Sequence, residues 1–542
     1  MKKSLYIKTL CMLIVFSLFF LVRPARAEAE GIDKTGYLSL EDKALGHIRH
    51  IVRIIDQVRG EGSPIGGMED GQEYNSSSSF HLLFLAYTLG LSHYHYTPAY
   101  RELYQGAMDR VIQKMLGREL SGDEEQTRIG SKALDPEPKM LGGAGPEPLA
   151  RENVMYSGHL LASVGYYTML FGDRKYTEPG SLPFDHETIF PGWADPKKYK
   201  HDFTSLARLI HDQYVASPMG FICEPNAVFL FCNGYTFYGF RFHDHLFGTN
   251  WLPAVTKNFR QAWKEKGGLL DKDGHFVEAY LIAQDFIWVQ PSAYFDAWAG
   301  TWMHAWNRDP IESLYPAHAK HWVKRLPDGT AYVEPRPQSS WALQSTSDFG
   351  HFALYASELG DKKTVDAMLR YAEKHLNPTW DDGAYFFPRN DDLRNEQGLP
   401  VLMTPLAGNA LLALARINIP SGLYITFNEP FENKHFYEPY VDKIDYPNVL
   451  VRQAVYDEEK CVLIVRLTPG DRRGKTSFRV NRLDAEKDWE ILENDSIIGW
   501  LRSGTPHGTP ITPGALRLSE DGALEISLEL NGEARILVRA VN

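Results

Sequence analysis

The sequence predicts a mainly α fold, an α/α toroid or a solenoid of helical hairpins, followed by a C-terminal β module of sandwich type. Three observations carry this prediction. Over residues 39–420 apolar residues recur at helical spacing, with no strands alternating between them. Four of these stretches are followed by glycine, the residue that most readily takes the left-handed conformation after a helix end. Beyond Pro420 the apolar period changes from about four to two.

The chain begins with Lys2, Lys3 and Lys8 ahead of an apolar run over residues 10–22, and then Ala25-Arg26-Ala27, a small-x-small cleavage pattern. The run is shorter than the ~20 residues that span a bilayer. Residues 1–27 are therefore expected to be a signal peptide cut near Ala27, leaving a periplasmic or secreted protein with no stable membrane insertion. Removing Lys2, Lys3, Lys8, Arg23 and Arg26 takes five positive charges from a formal net charge of −12, giving −17. A chain so acidic is not expected to bind nucleic acid. With 542 residues, 44% of them hydrophobic, and four cysteines, disorder and a disulfide-stapled scaffold are excluded. The mean hydropathy of −0.33 argues against a polytopic membrane protein.

Residues 28–420 form the expected helical, catalytic domain. Its first helix carries Leu45, Ile48, Ile51, Val52 and Ile55 and closes at Gly60. Further helices are expected over 80–89, 154–171, 225–247 and 352–359, ending before Gly90, Gly172, Gly248 and Gly360. Thr97-Pro98 reads as the N-cap and first position of the helix that holds Leu103, Ala107, Val111 and Met115. Residues 121–147 and 177–200, rich in Pro, Gly and charge, read as long loops over one rim. In the β module, 421–542, strands are expected over 449–456, 461–467 and 477–480. The alternating runs on either side of Asn531-Gly532 read as a hairpin.

Two segments could carry chemistry. Residues 151–159 open a helix and set His159 one turn beyond Met155 on the same face, where it is either an acid/base or a hydrogen-bonded core histidine. Residues 223–233 hold Cys223 and Cys232. If Pro225 starts a helix, its ~1.5 Å rise per residue separates the two cysteines beyond the ~7 Å that a disulfide tolerates, which favours two free thiols. No metal-type spacing is present, so no metal is assigned. The runs His93-x-His95 and His243-Asp244-His245 read as solvated or capping histidines.

The stretches E-N-V-M-Y-S-G-H at 152–159 and C-E-P-N-A-V-F-L-F-C-N at 223–233 resemble the linalool dehydratase/isomerase family. Ile210-His211-Asp212, residues 245–249 and residues 292–310 are similar in order and spacing, so the resemblance spans roughly 45–420 and leaves out the β module. It implies an (α/α)6 toroid, no cofactor, a ring-like homo-oligomer, and reversible dehydration and isomerisation of small apolar allylic alcohols. By motif, His159 matches the family's acid/base histidine, Cys223 and Cys232 its active-site cysteines, Met155 and Tyr294 its pocket residues, and Asp56 its catalytic aspartate. Phe229 is added as a pocket-lining aromatic. Two family tyrosines are replaced, by Gly62 and near Leu82.

The expected reaction is cofactor-independent: an acid protonates the leaving hydroxyl, and a base takes a proton from the allylic cation or water recaptures it. Two other readings compete. A glycosidase or polysaccharide lyase would use Asp296, Asp381 and the Trp298, Trp302, Trp306 row. A secreted binding or scaffold protein would keep the fold without activity.

Overall fold

The computed structural model describes residues 36–57, 77–117, 149, 154–186, 197–223, 226–333, 344–345, 347–394, 400–509 and 514–541. The chain divides into two units, Met1–Ser39 and Leu40–Asn542, and the described helices and strands all belong to the second. The expected signal peptide, Gly62 and the loop over 121–147 lie outside the described residues.

The helices are α1 (Asp42–Asp56), α2 (Ser77–Tyr96), α3 (Glu102–Leu116), α4 (Val154–Phe171), α5 (Phe203–Ala216), α6 (Leu230–Phe247), α7 (Trp251–Glu265), α8 (Ala293–His304), α9 (Arg308–Trp322), α10 (Ser347–Glu358), α11 (Lys362–His375), α12 (Leu412–Ile417) and α13 (Gly422–Asn428). A π-turned run, Leu406–Leu411, leads directly into α12. Two kinds of helix alternate. Every residue of α4 is buried, as are nearly all of α8 and α6 up to its last turn, which is the pattern of helices surrounded by protein. In contrast α3, α5, α7 and α11 bury one face each. The buried helices neighbour one another in a closed order: α2 packs on α4, α4 on α6, α6 on α8, α8 on α10, α10 on the Leu406–Ile417 stretch, and that stretch on α2. The one-faced helices and α9 pack outside them, each against a buried neighbour.

Several boundaries differ from expectation. Gly90 does not end a helix; α2 runs through it, because a Cβ there would overlap the Tyr166 ring of α4. Thr97-Pro98 is a turn, and α3 begins later, at Glu102. The helix expected over 225–247 opens at Leu230, since Ala227–Phe229 is a strand paired with Ala279–Leu281; Pro225 itself lies outside the described residues. The expected loop over 177–200 contains a pair of antiparallel strands, Leu182–His186 against Lys197–His201. Gly172, Gly248 and Gly360 do stand at φ of +64°, +67° and +75° just past helix ends. No single helix among the described residues is long and apolar enough to cross a membrane.

The C-terminal strands form two antiparallel sheets, one of six strands and one of four. Asn531-Gly532 does not close a hairpin. Leu524–Leu530 pairs with Gly474–Asn481, whereas Ala534–Val541 pairs with Val462–Pro469 and Asp488–Glu493 in the other sheet. Both strands bury alternate residues, so the chain gains more by placing each apolar face in a different sheet than by pairing them. This module is tied to the helices by backbone hydrogen bonds from Ala99 to Ala454 and from Val441 to Ala99, and by the Arg49–Asp471 ion pair at 2.5 Å.

Candidate active site

The site begins with glycines that let α4 and α6 approach. A Cβ on Gly158 would stand 2.5 Å from Thr236 Oγ1, and one on Gly239 would overlap Leu161. This close contact sets His159 edge-on against the Tyr235 ring, 4.4 Å between centroids with planes 88° apart. Both side chains are fully buried. Cys232 lies one turn before Tyr235 on α6 and is also buried. Burial raises the Tyr235 hydroxyl well above its ordinary pKa of 10, and the neighbouring Cys232 adds to the rise. Tyr235 is therefore a neutral phenol, and its oxygen accepts a hydrogen bond from Trp298 Nε1.

Cys223 reaches the same region through Asn233. The Asn233 carboxamide oxygen accepts from Phe221 N at 2.8 Å and from the Tyr214 hydroxyl at 2.6 Å. Its amide donates to Phe229 O at 2.8 Å and Phe221 O at 3.2 Å. One side chain thus fixes the segment before Cys223, the strand holding Phe229 and the first turn of α6 together. Val154 N donates to Ile222 O at 3.1 Å, which docks the first turn of α4, including Met155, beside Cys223. Cys223 and Cys232 are not joined in a disulfide, as expected, although the expected continuous helix between them is not what holds them apart.

The opposite wall comes from α8 and α10. Tyr294 is half-buried, with its backbone N–H held by Asp348 Oδ1 at 3.0 Å. Its ring meets Trp298 and His351 edge-on, both at 5.0 Å. Trp298 stacks on His351 at 4.7 Å and meets Phe231 at 4.4 Å, and Phe231 also touches Phe229 at 5.5 Å. Phe84 of α2 reaches Tyr235, Trp302 and His351, with Tyr87 and Trp302 in ring contact one turn deeper, forming an aromatic floor. Met155, His159, Cys232, Tyr235, Tyr294, Trp298 and His351 all sit within the first two turns of their helices. Because these residues touch across the helices, the N-terminal ends of α4, α6, α8 and α10 share one side.

Asp56 stands apart from this group. It is the last residue of α1, half-exposed and ion-paired with Arg110 Nε at 2.6 Å. The adjoining Gln57 O accepts from Lys114 of α3, and the next residue, Met115, accepts through its carbonyl from Tyr156 of α4. This places Asp56 at the end of the bundle where α4 begins. Tyr235, Asn233 and His351 were not singled out for chemistry from the sequence, and Trp298 was considered only as part of a sugar-binding row. Helical spacing offered the signal: Tyr235 follows Cys232 by three, Trp298 follows Tyr294 by four, and His351 follows Asp348 by three.

The residues of the carbohydrate reading are otherwise engaged. Asp296 is fully buried, accepting from Phe276 N at 2.9 Å, His275 Nδ1 at 2.6 Å and Trp322 Nε1 at 2.7 Å. His275, Asp296 and His318 bring potential metal-ligand atoms within 4.8 Å of one another. His318 Nε2, however, donates to Gly274 O at 2.9 Å, and the carboxylate is filled by its donors. Asp381 belongs to a two-stranded turn and pairs with Arg53 at 2.9 Å. Trp298 and Trp302 are packed in the interior. His93 and His243, expected in solvent or at caps, are buried and bonded to Tyr100 O and Thr249 Oγ1.

The model of the linalool dehydratase/isomerase family matches residues 79–393, more than half of the chain, and encloses all of these residues except Asp56. The chain belongs to the linalool dehydratase/isomerase family. Similar solved structures include a glycoside hydrolase family 76 α-mannanase from Bacteroides thetaiotaomicron, at 11% identity and a TM-score of 0.40, covering 71% of this chain and 97% of that one. Dfg5 from Chaetomium thermophilum, in complex with glucosamine, matches at 12% identity and a TM-score of 0.39, covering 72% and 92%. Likenesses this distant carry no argument about chemistry, which rests on the family and the site.

Proposed function

We propose that this protein is a cofactor-independent hydro-lyase/isomerase of small, terpene-type allylic alcohols, acting by reversible dehydration to a diene and migration of the hydroxyl. The observation that carries the proposal is the placing of His159 and Cys232 around the buried Tyr235, beside Cys223 and Met155, inside the family-matched region. The closed order of six central helices with helices outside supports an (α/α)6 toroid as the scaffold.

Breaking the allylic C–O bond expels hydroxide unless an acid protonates it, and the resulting cation must lose a proton or be recaptured by water. His159, Cys223 and Cys232 are the proton-transfer set; Asp56, expected with them, stands apart at the end of α1 in its ion pair with Arg110. The faces of Tyr235, Trp298 and Phe231 favour a positive charge over a ring, and Met155, Phe229 and Tyr294 complete an apolar, polarisable wall. Burial of the set keeps water from quenching the cation prematurely. Leu82, fully buried, offers no hydroxyl to a substrate oxygen, so the alcohol need not be linalool itself. We place the enzyme in the periplasm or outside the cell, as a homo-oligomer free of nucleic acid and membrane.

The test is gas-chromatographic product analysis of reduced, oxygen-free protein given linalool, geraniol and shorter allylic alcohols, beside His159→Ala, Cys223→Ala and Cys232→Ala. A diene or rearranged alcohol from the unaltered protein, lost in the variants, is expected. Sugar release from an oligosaccharide panel, with no product from any alcohol, would overturn the proposal.

A further inference from the structure

His351 carries an uncompensated feature. Its imidazole is fully buried, yet neither ring nitrogen has a hydrogen-bond partner among the described residues. Burying such a group unpaired is costly. Aromatic contacts hold the ring: Trp298 stacked on one side, Phe84 at 5.6 Å and Tyr294 edge-on. Two of those neighbours, Trp298 and Tyr294, belong to the site wall, so the ring stands directly behind that wall. In the hydrogen-bonded Tyr235–Trp298 pair, His159 contacts Tyr235 and His351 contacts Trp298.

A neutral imidazole offers one donor and one acceptor. A purely hydrocarbon substrate tail would leave both unsatisfied, whereas an oxygen on that tail would satisfy one or both. We propose that His351 is a substrate-recognition residue that binds a second oxygen function, so that the substrate is an allylic alcohol bearing another hydroxyl or a carbonyl at its far end. This rests on the allylic-alcohol reading above, and it names the substrate class within that reading. The geometry assigns the two ends separate work: the reacting hydroxyl lies with His159 and the cysteines, and the second oxygen lies across the Tyr235–Trp298 pair.

The test compares 2-methylbut-2-ene-1,4-diol with 3-methylbut-2-en-1-ol as substrates for the unaltered full chain, His351→Phe and His351→Gln. The phenylalanine keeps the stack on Trp298 and removes both nitrogens; the glutamine keeps a donor and an acceptor. The unaltered protein is expected to show a kcat/KM ratio favouring the diol, carried mainly by KM. In His351→Phe that ratio falls about tenfold or more, a loss of one hydrogen bond, and in His351→Gln it is partly restored. Titration calorimetry with the saturated, unreactive 2-methylbutane-1,4-diol reads the same subsite without turnover. Weaker binding to His351→Phe than to the unaltered protein is expected even where neither alcohol reacts, which separates failure of the subsite from failure of the reaction. Equal affinity of both proteins for the saturated diol, or an unchanged kcat/KM ratio, would overturn the assignment. The unfolding midpoint of His351→Phe is expected to match or exceed that of the unaltered protein, because a buried unpaired polar group has been replaced by an apolar one.

Discussion

The His159 imidazole meets the Tyr235 ring edge-on at 4.4 Å, and this contact exists only because Gly158 and Gly239 bring α4 and α6 together. Sequence-distant helices thereby deliver His159 and Cys232 to one place. The site's chemistry is a consequence of helix packing as much as of residue type.

Gly239→Ala tests that dependence. The added methyl overlaps Leu161, whose Cγ cannot retreat in a close-packed interior. The variant is expected to lose about 1–3 kcal/mol of stability, as overpacked cores do. Turnover should fall further than this loss explains, as measured by product formation at a temperature where denaturant titration shows the variant folded.

Asn233→Leu removes the clamp on the Cys223 segment. Four hydrogen bonds are lost, and Phe221 N, Phe221 O, Phe229 O and the Tyr214 hydroxyl are left without that partner. A loss of at least about 2 kcal/mol is expected. In the folded variant a thiol reagent should reach Cys223 faster than in the unaltered protein, where Cys461, the most accessible of the three described cysteines, reacts first.

Stability should fall in acid over a defined range. Burial lowers His81 and His351 from 6.5 to about 3 and His50 to about 4. Between pH 6.5 and about 3–4 the unfolded chain binds protons at these positions and the folded chain does not. Stability therefore rises with pH across this window and is lost as pH falls, by up to about 1.4 kcal/mol per pH unit per histidine. His275 acts in the opposite sense: the hydrogen bond to Asp296 raises its pKa, so its contribution is present in acid and lost as pH rises through the folded value. Urea titrations at pH 4.5, 5.5 and 6.5 should show a shallower pH slope in His351→Phe than in the unaltered protein.

Asp381→Asn distinguishes the reaction class. Asp381 is about half-exposed and tied to Arg53, a surface pair worth under about 1 kcal/mol. Turnover of the alcohol should be unchanged in this variant. Loss of activity would return the Trp380–Asp381 turn to consideration as a sugar-binding carboxylate site.

Much of the architecture was legible because it follows local rules. The apolar periodicity located α1 and α4, and Gly172, Gly248 and Gly360 marked real helix ends. The errors arose where tertiary contacts override local preference. Gly90 is required by the Tyr166 ring, not by a helix end, and Asn531-Gly532 joins two sheets because each flanking strand finds better partners elsewhere. In the site, His159 meets Tyr235 one turn from Cys232, and Asn233 and Val154 tie the Cys223 segment to the starts of α6 and α4. His351 escaped notice, and Trp298 was read only as one of a sugar-binding row, because their place in the site depends on which helices neighbour each other. Asp56 lies at the right end of the bundle but engages Arg110, a partner that spacing along the chain could not reveal.

The most direct test of the central claim is oxygen exchange. Reduced, oxygen-free protein is incubated with a small allylic alcohol in water enriched in oxygen-18, and the recovered alcohol and volatile products are analysed by mass spectrometry. Reversible C–O cleavage predicts the label in the recovered alcohol together with a diene, and neither with His159→Ala. Recovered alcohol carrying no label, with no diene formed from any alcohol the protein binds, would contradict the account.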